Sequence, residues 1–302
     1  MTVDNTHEAV DRVTAEIEAL RQAKPQLEEV LKAFSPFIIM RQRWLATPEL
    51  RRQPWFADEL RLAGGIPLIK QRDAVDDLLW EAAARFAVSS IHQGFPWFVE
   101  DTAKLAEMLA TGQATATGLL AGQVFESESE SGNPAPVDQM QPGAMRLFRN
   151  FGRRFMLSGA RQDHESLLQR CSWSKGYCPL CGALPQVAVL DDQGRKLLVC
   201  LECSHSWYFS RLSCPGCEHE DAQASTVFFV DDTKDETAFV CSQCGRYLPT
   251  KRLSLALKQP NYDVVSLGLI HLDMILQEKG FLPMSEGIWN VLTASEEPAE
   301  QR

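Results

Sequence analysis

Apolar residues in the first part of the chain recur every three or four positions. Val10, Val13, Ile17, Leu20, Leu27, Val30, Leu31 and Phe34 form one such series, the spacing of a helix with one buried face. Pro25 is expected to kink or divide it, and Pro36 to mark a boundary near Ser35. A second series runs from Asp73 through Val75, Leu78, Leu79, Ala82, Phe86 and Val88, and further helices are expected at 101–109, 114–125 and 144–168. The alternation of β-branched residues that marks strands is missing here. Residues 1–170 are therefore expected to be all helical. The stretch 126–142 is polar and rich in Ser, Pro and Gly, which predicts an exposed, mobile loop.

From residue 177 the pattern changes. Segments 187–190 and 196–199 flank the turn Asp191-Asp192-Gln193-Gly194 and predict a β-hairpin. Residues 206–212 can add a third strand. Segments 226–230 and 237–240 repeat the hairpin around a polar turn at 231–236. Past Thr250 the pattern is helical again, with Leu267, Leu269, Ile270, Met274 and Ile275 apolar and Gly280 as a stop. A frayed tail is expected at 292–302.

The cysteines sharpen this division. All nine lie between Cys171 and Cys244. Eight form four CxxC pairs: Cys178/Cys181, Cys200/Cys203, Cys214/Cys217 and Cys241/Cys244. Two intervening residues let a tight turn aim both sulfurs at one ion, and two such knuckles complete a tetrahedral S4 shell for zinc or a single iron. Eighteen residues separate Cys181 from Cys200, and twenty-three separate Cys217 from Cys241. Each interval holds one hairpin. The ten residues between Cys203 and Cys214 fit a connecting strand. We therefore pair the first knuckle with the second and the third with the fourth, an internal repeat. Interleaved pairing, first with third and second with fourth, is the alternative. The first and fourth knuckles carry Gly182 and Gly245 after the second cysteine, where a left-handed backbone helps the turn. The second, Cys-Leu-Glu-Cys-Ser, has neither Pro nor Gly and is expected to be the looser one. Cys171 reads as a buried core thiol, and His205 and His219 as neighbours of the ligands. Arg211, Lys175 and Arg246 are candidates to offset the thiolate charge.

The expected architecture is α plus small β: a helical domain at 1–170, four-cysteine ribbons at 171–213 and 214–250, and a C-terminal helix and tail at 251–302. Net charge is −10, which repels nucleic acid and anionic membrane. Within 171–250, six lysines and arginines stand against ten aspartates and glutamates, so a phosphate-binding ribbon lacks its basic face. The first ten residues have no signal-peptide pattern and the longest apolar run is too short to span a bilayer. A soluble, cytoplasmic protein is expected, with disulfides disfavoured. No Gly-rich phosphate loop, HExxH or GxSxG is present, and closed S4 shells leave no position for a catalytic water. An interaction or assembly role is favoured over an enzyme.

The runs Tyr-Cys-Pro-Leu-Cys-Gly-Ala-Leu-Pro (177–185), Leu-Val-Cys-Leu-Glu-Cys-Ser-His-Ser-Trp (198–207), Arg-Leu-Ser-Cys-Pro-Gly-Cys-Glu (211–218) and Cys-Ser-Gln-Cys-Gly-Arg-Tyr-Leu (241–248) resemble the formate dehydrogenase accessory protein FdhE family. There a short strand carrying Trp and Arg bridges the second and third knuckles. Trp207 and Arg211 occupy those places here. The likeness is specific over 171–250 and extends to 263–280. It implies rubredoxin-like folds holding two mononuclear iron ions, with zinc as the alternative. It also implies a cytoplasmic maturation factor that binds the catalytic subunit of respiratory formate dehydrogenase and promotes its activity. A rubredoxin-like electron carrier and a nucleic-acid-binding zinc ribbon are the competing readings.

Overall fold

The computed structural model describes residues 3–47, 59–69, 77–121, 140–220, 225–230, 234–254 and 259–290. Among the described residues the regular structure of the first part is helical, as its periodicity requires: α1 (Val3–Ala23), α2 (Glu28–Ala46), α3 (Glu59–Ala63), α4 (Asp77–Gly94), α5 (Val99–Thr111), α6 (Ala116–Ala121), α7 (Pro142–Asp163) and α8 (Glu165–Arg170). Pro25 divides α1 from α2 by opening a one-turn 3-10 helix. The boundary expected near Ser35 does not occur, because α2 runs through Pro36. Pro36 costs one backbone hydrogen bond, to the carbonyl four residues earlier at exposed Lys32. Phe34, Phe37, Ile38 and Trp44 are buried on the opposite face and hold the helix on the core. Phe37 stacks on Phe151 of α7 at 4.2 Å, and Trp44 meets Phe86 of α4 and Phe155 of α7.

Several expectations fall outside the described residues: 73–76 of the second series, 122–125, most of the 126–142 loop, the turn at 231–233 and the tail at 292–302. The end of the loop is described and is ordered differently. Met140 is buried and Pro142 opens α7, where its missing N–H costs nothing.

Among the described residues seven strands form a single sheet: β1 (Val187–Leu190), β2 (Lys196–Cys200), β3 (His205–Phe209), β4 (Ser225–Phe229), β5 (Glu236–Cys241), β6 (Arg246–Arg252) and β7 (Leu282–Pro283). The main order is β3-β2-β1-β6-β5-β4. The anticipated repeat is present as two copies of one antiparallel three-stranded meander. They fuse where β1 and β6 pair in parallel, Ala188 opposite Thr250. The expected C-terminal helix is two, α9 (Tyr262–Gly268) and α10 (Ile270–Glu278). At the break the Gly268 carbonyl accepts from Lys24 Nζ at 2.6 Å, which anchors the turn to the end of α1. Asn261 caps α9, its side chain accepting from the amides of Asp263 and Val264.

Candidate metal centres

Each meander carries one knuckle ahead of its first strand and another at the end of its second. Cys178 and Cys181 precede β1, while Cys200 ends β2 and Cys203 lies in the turn to β3. Cys214 and Cys217 precede β4, while Cys241 ends β5 and Cys244 lies in the turn to β6. The sulfurs converge accordingly: Cys178, Cys181, Cys200 and Cys203 in one cluster, and Cys214, Cys217, Cys241 and Cys244 in the other. Interleaved pairing is excluded by this geometry. In the first cluster Cys178–Cys203 is 3.5 Å and Cys181–Cys200 is 3.6 Å. In the second, Cys214–Cys244 is 3.7 Å and Cys217–Cys241 is 3.8 Å. Disulfide sulfurs stand about 2 Å apart. A tetrahedral ion with metal–sulfur bonds of about 2.3 Å sets its sulfurs about 3.8 Å apart. Both clusters can hold a metal ion of that geometry, and neither is a disulfide.

All four knuckles solve the same backbone problem. The residue after the second cysteine turns left-handed in each: Gly182 (φ 77°), Ser204 (φ 61°), Glu218 (φ 55°) and Gly245 (φ 67°). Glycine does this without strain, whereas Ser204 and Glu218 each work against about 1 kcal/mol or more. In the second cluster the amides of Gly216 and Cys217 donate to the Cys214 sulfur, and those of Gln243 and Cys244 to Cys241. These N–H groups favour thiolate.

The second knuckle, expected to be loose, is the most firmly held. Leu201 and Glu202 are buried. Arg41 of α2 donates to the Leu201 carbonyl at 2.9 Å, the Glu202 carbonyl at 2.8 Å and the Asp263 carboxylate at 3.0 Å. Arg154 of α7 donates to the same Leu201 carbonyl and pairs with the Glu202 carboxylate at 2.8 Å. The Gln186 side chain accepts from the Leu201 amide at 2.7 Å. Ser204's strained turn is thus sustained by two fully buried guanidinium groups. The first knuckle is tied as well: the Leu68 and Ile69 amides donate to the Pro179 and Leu180 carbonyls. The first cluster therefore sits against the helical core. The second is more open, with Cys217 exposed.

Burial pushes the metal-free Cys178 and Cys214 thiols well above their ordinary range. Of the anticipated offsetting cations, Lys175 lies 3.6 Å from Glu218 and Arg246 donates to the Pro283 carbonyl. Lys196, which the sequence reading passed over, is better placed. It is buried on β2 and donates to the Ser213 carbonyl, next to Cys214, at 2.8 Å. Burial lowers its pKa to about 8, against the pull of the Cys214 sulfur. A lysine at the start of a strand whose other residues are all apolar was the available signal. Cys171 stays outside both clusters at the end of α8. His205 stacks on Trp207, and burial lowers its pKa to about 4. His219 offers its carbonyl to the Cys214 amide. The sequence Pro-Trp-Phe occurs twice; at 96–98 it forms the helical turn entering α5, and at 54–56 it lies outside the described residues.

No family model matches the chain. An FdhE homolog of Shewanella sp. is 25% identical over 89% of this chain and 94% of its own length. Homologs from Shewanella oneidensis and Aquifex aeolicus are 31% and 28% identical over 37% and 36% of the chain. Those two matches span only 38% and 40% of the relatives' own lengths. The crystal structure of the FdhE protein from Pseudomonas aeruginosa superposes with a TM-score of 0.60 at 21% identity, covering 93% of this chain and 94% of that one. Near-full-length likeness to an FdhE homolog, a fold shared with an FdhE crystal structure and paired four-cysteine clusters together support the FdhE family, the formate dehydrogenase accessory proteins, as the family this chain resembles.

Proposed function

We propose that the protein is a non-catalytic accessory factor that binds the catalytic subunit of respiratory formate dehydrogenase in the cytoplasm and promotes its maturation. The observation that carries this reading is the likeness to FdhE proteins along 89% of the chain. Each cluster holds one metal ion, iron in preference to zinc, through Cys178, Cys181, Cys200 and Cys203 or through Cys214, Cys217, Cys241 and Cys244. Such an ion crosslinks two knuckles and, if iron, adds a one-electron couple. Residues 1–170 act as the helical unit, 171–213 and 214–250 as the two ribbons, and 251–302 as the closing segment. No described helix is long and apolar enough to cross a membrane.

Tagged protein recovered from formate-respiring cells is expected to bring the catalytic subunit with it. A folded, metal-loaded bait that recovers none, with and without oxygen, would sink the reading. Elemental analysis is expected to find two ions per chain, and X-ray absorption to find sulfur alone around them. A second reading, electron transfer, is favoured by the exposed Cys217 of the second cluster. A reversible one-electron titration of that centre would support it.

A further inference from the structure

A cleft of about 600 Å³ opens between the two ribbons. The ribbon unit is acidic, yet four of its six cations gather here. Arg195, Lys196 and Arg211 line the cleft, and Lys175 meets Glu218 at its rim. Most of these charges are already engaged. Arg195 pairs with Asp191 at 2.7 Å and lies over the Tyr208 ring. Lys196 is committed to backbone carbonyls beside the second cluster. Arg211 is exposed, and among the described residues no carboxylate lies within bridging distance of it. Beside it Tyr208 is 48% exposed. Tyr208 belongs to β3, an outermost strand. Among the described residues no strand pairs with its other edge. An open strand edge is a template for an added strand, and the cleft is large enough for a few residues.

We propose that this cleft docks an extended acidic segment of the partner polypeptide, laid along the open edge of β3, with a carboxylate on Arg211 and an apolar side chain against Tyr208. This rests on the accessory reading above. A nucleotide is disfavoured because Glu218 and Glu220 also line the cleft and would repel its phosphates. A peptide has amides to offer those carboxylates.

The test uses the full-length, metal-loaded protein and a fluorescein-labelled ten-residue peptide alternating Glu with Val. The wild type is expected to bind it, more weakly as salt rises. Arg211→Glu is expected to bind it at least about tenfold more weakly, with unchanged metal content and unfolding temperature because the side chain is exposed. Equal binding of a Gln-for-Glu peptide, or no loss in Arg211→Glu, overturns the assignment. So does tighter binding of ATP than of the acidic peptide. Co-purification separates the two readings. If wild type and Arg211→Glu both recover the catalytic subunit, the cleft assignment fails and the accessory reading stands. If wild type binds the peptide through Arg211 but recovers no subunit, the accessory reading fails instead.

Discussion

Cys178 and Cys241 each open a knuckle, one in each cluster, and face different surroundings. Cys178 lies in the first cluster, whose knuckles are bonded to residues 68–69 and to Arg41 and Arg154. Serine does not ionise and binds soft metals poorly. Cys178→Ser is therefore expected to retain one ion of two and to loosen the contact with the helices. Cys241→Ser is expected to retain the other ion and to lose less thermal stability. Metal stoichiometry and thermal unfolding check both. Two ions at wild-type stability in either variant, with activation of formate dehydrogenase lost, would show that the cysteines act by thiol chemistry instead. Arg41 supplies a second test. Arg41→Met removes the partner of Asp263, which is 4% exposed, and takes the guanidinium donor from the Glu202 carbonyl, while Leu201 keeps its bond from Arg154. Stripping one member from a buried pair costs about 3–5 kcal/mol, measurable by urea unfolding. A loss below about 1 kcal/mol would mean that water replaces the guanidinium. Nothing in the sequence distinguished Arg41 and Arg154 from surface arginines. Their burial depends on carbonyls that lie far along the chain.

At the scale of elements, the hairpins and both cysteine pairings were legible because each is local and ends in a knuckle. β6 was not, although it repeats what β3 does after its own knuckle. Pro249 interrupts its apolar run, and proline reads against a strand. The β1–β6 seam was also hidden, since parallel pairing needs no turn and leaves no local signal. Gly176 shows how closely the ribbons approach. A Cβ there would stand 2.0 Å from the Pro215 carbonyl oxygen of the third knuckle. Gly176→Ala must therefore displace that knuckle, and faster loss of the second ion to a chelator is expected. Equal release rates in variant and wild type would refute the contact. The clusters should also differ in their response to pH. Burial holds the metal-free Cys178 and Cys214 thiols protonated at neutral pH. Metal uptake must expel those protons, so affinity rises with pH and falls as the solution is acidified. With Cys217 exposed, the second centre is expected to empty at a higher pH than the first. Metal retention followed along an acid titration checks the order.

Across the whole molecule, α1 reaches the second meander and the C-terminal helices together. Lys24 pairs with Glu236 of β5 and bonds the Gly268 carbonyl, while the Glu16 carboxylate accepts from the Asn261 amide. Sequence patterning divided the chain into helical and cysteine-rich parts, and the structure shows both. It did not show how tightly they interlock, because the contacts join residues more than 200 positions apart. The seam between β1 and β6 has a consequence for synthesis. When the first meander leaves the ribosome, its own four cysteines are already available, so its ion can be taken up at once. Its inner strand edge stays bare until Arg252 has emerged. During that interval the nascent chain presents an unpaired edge, the feature that invites misassembly with neighbouring chains. Slowed translation between the two repeats should therefore favour aggregation of a half-ribbon that already carries its metal.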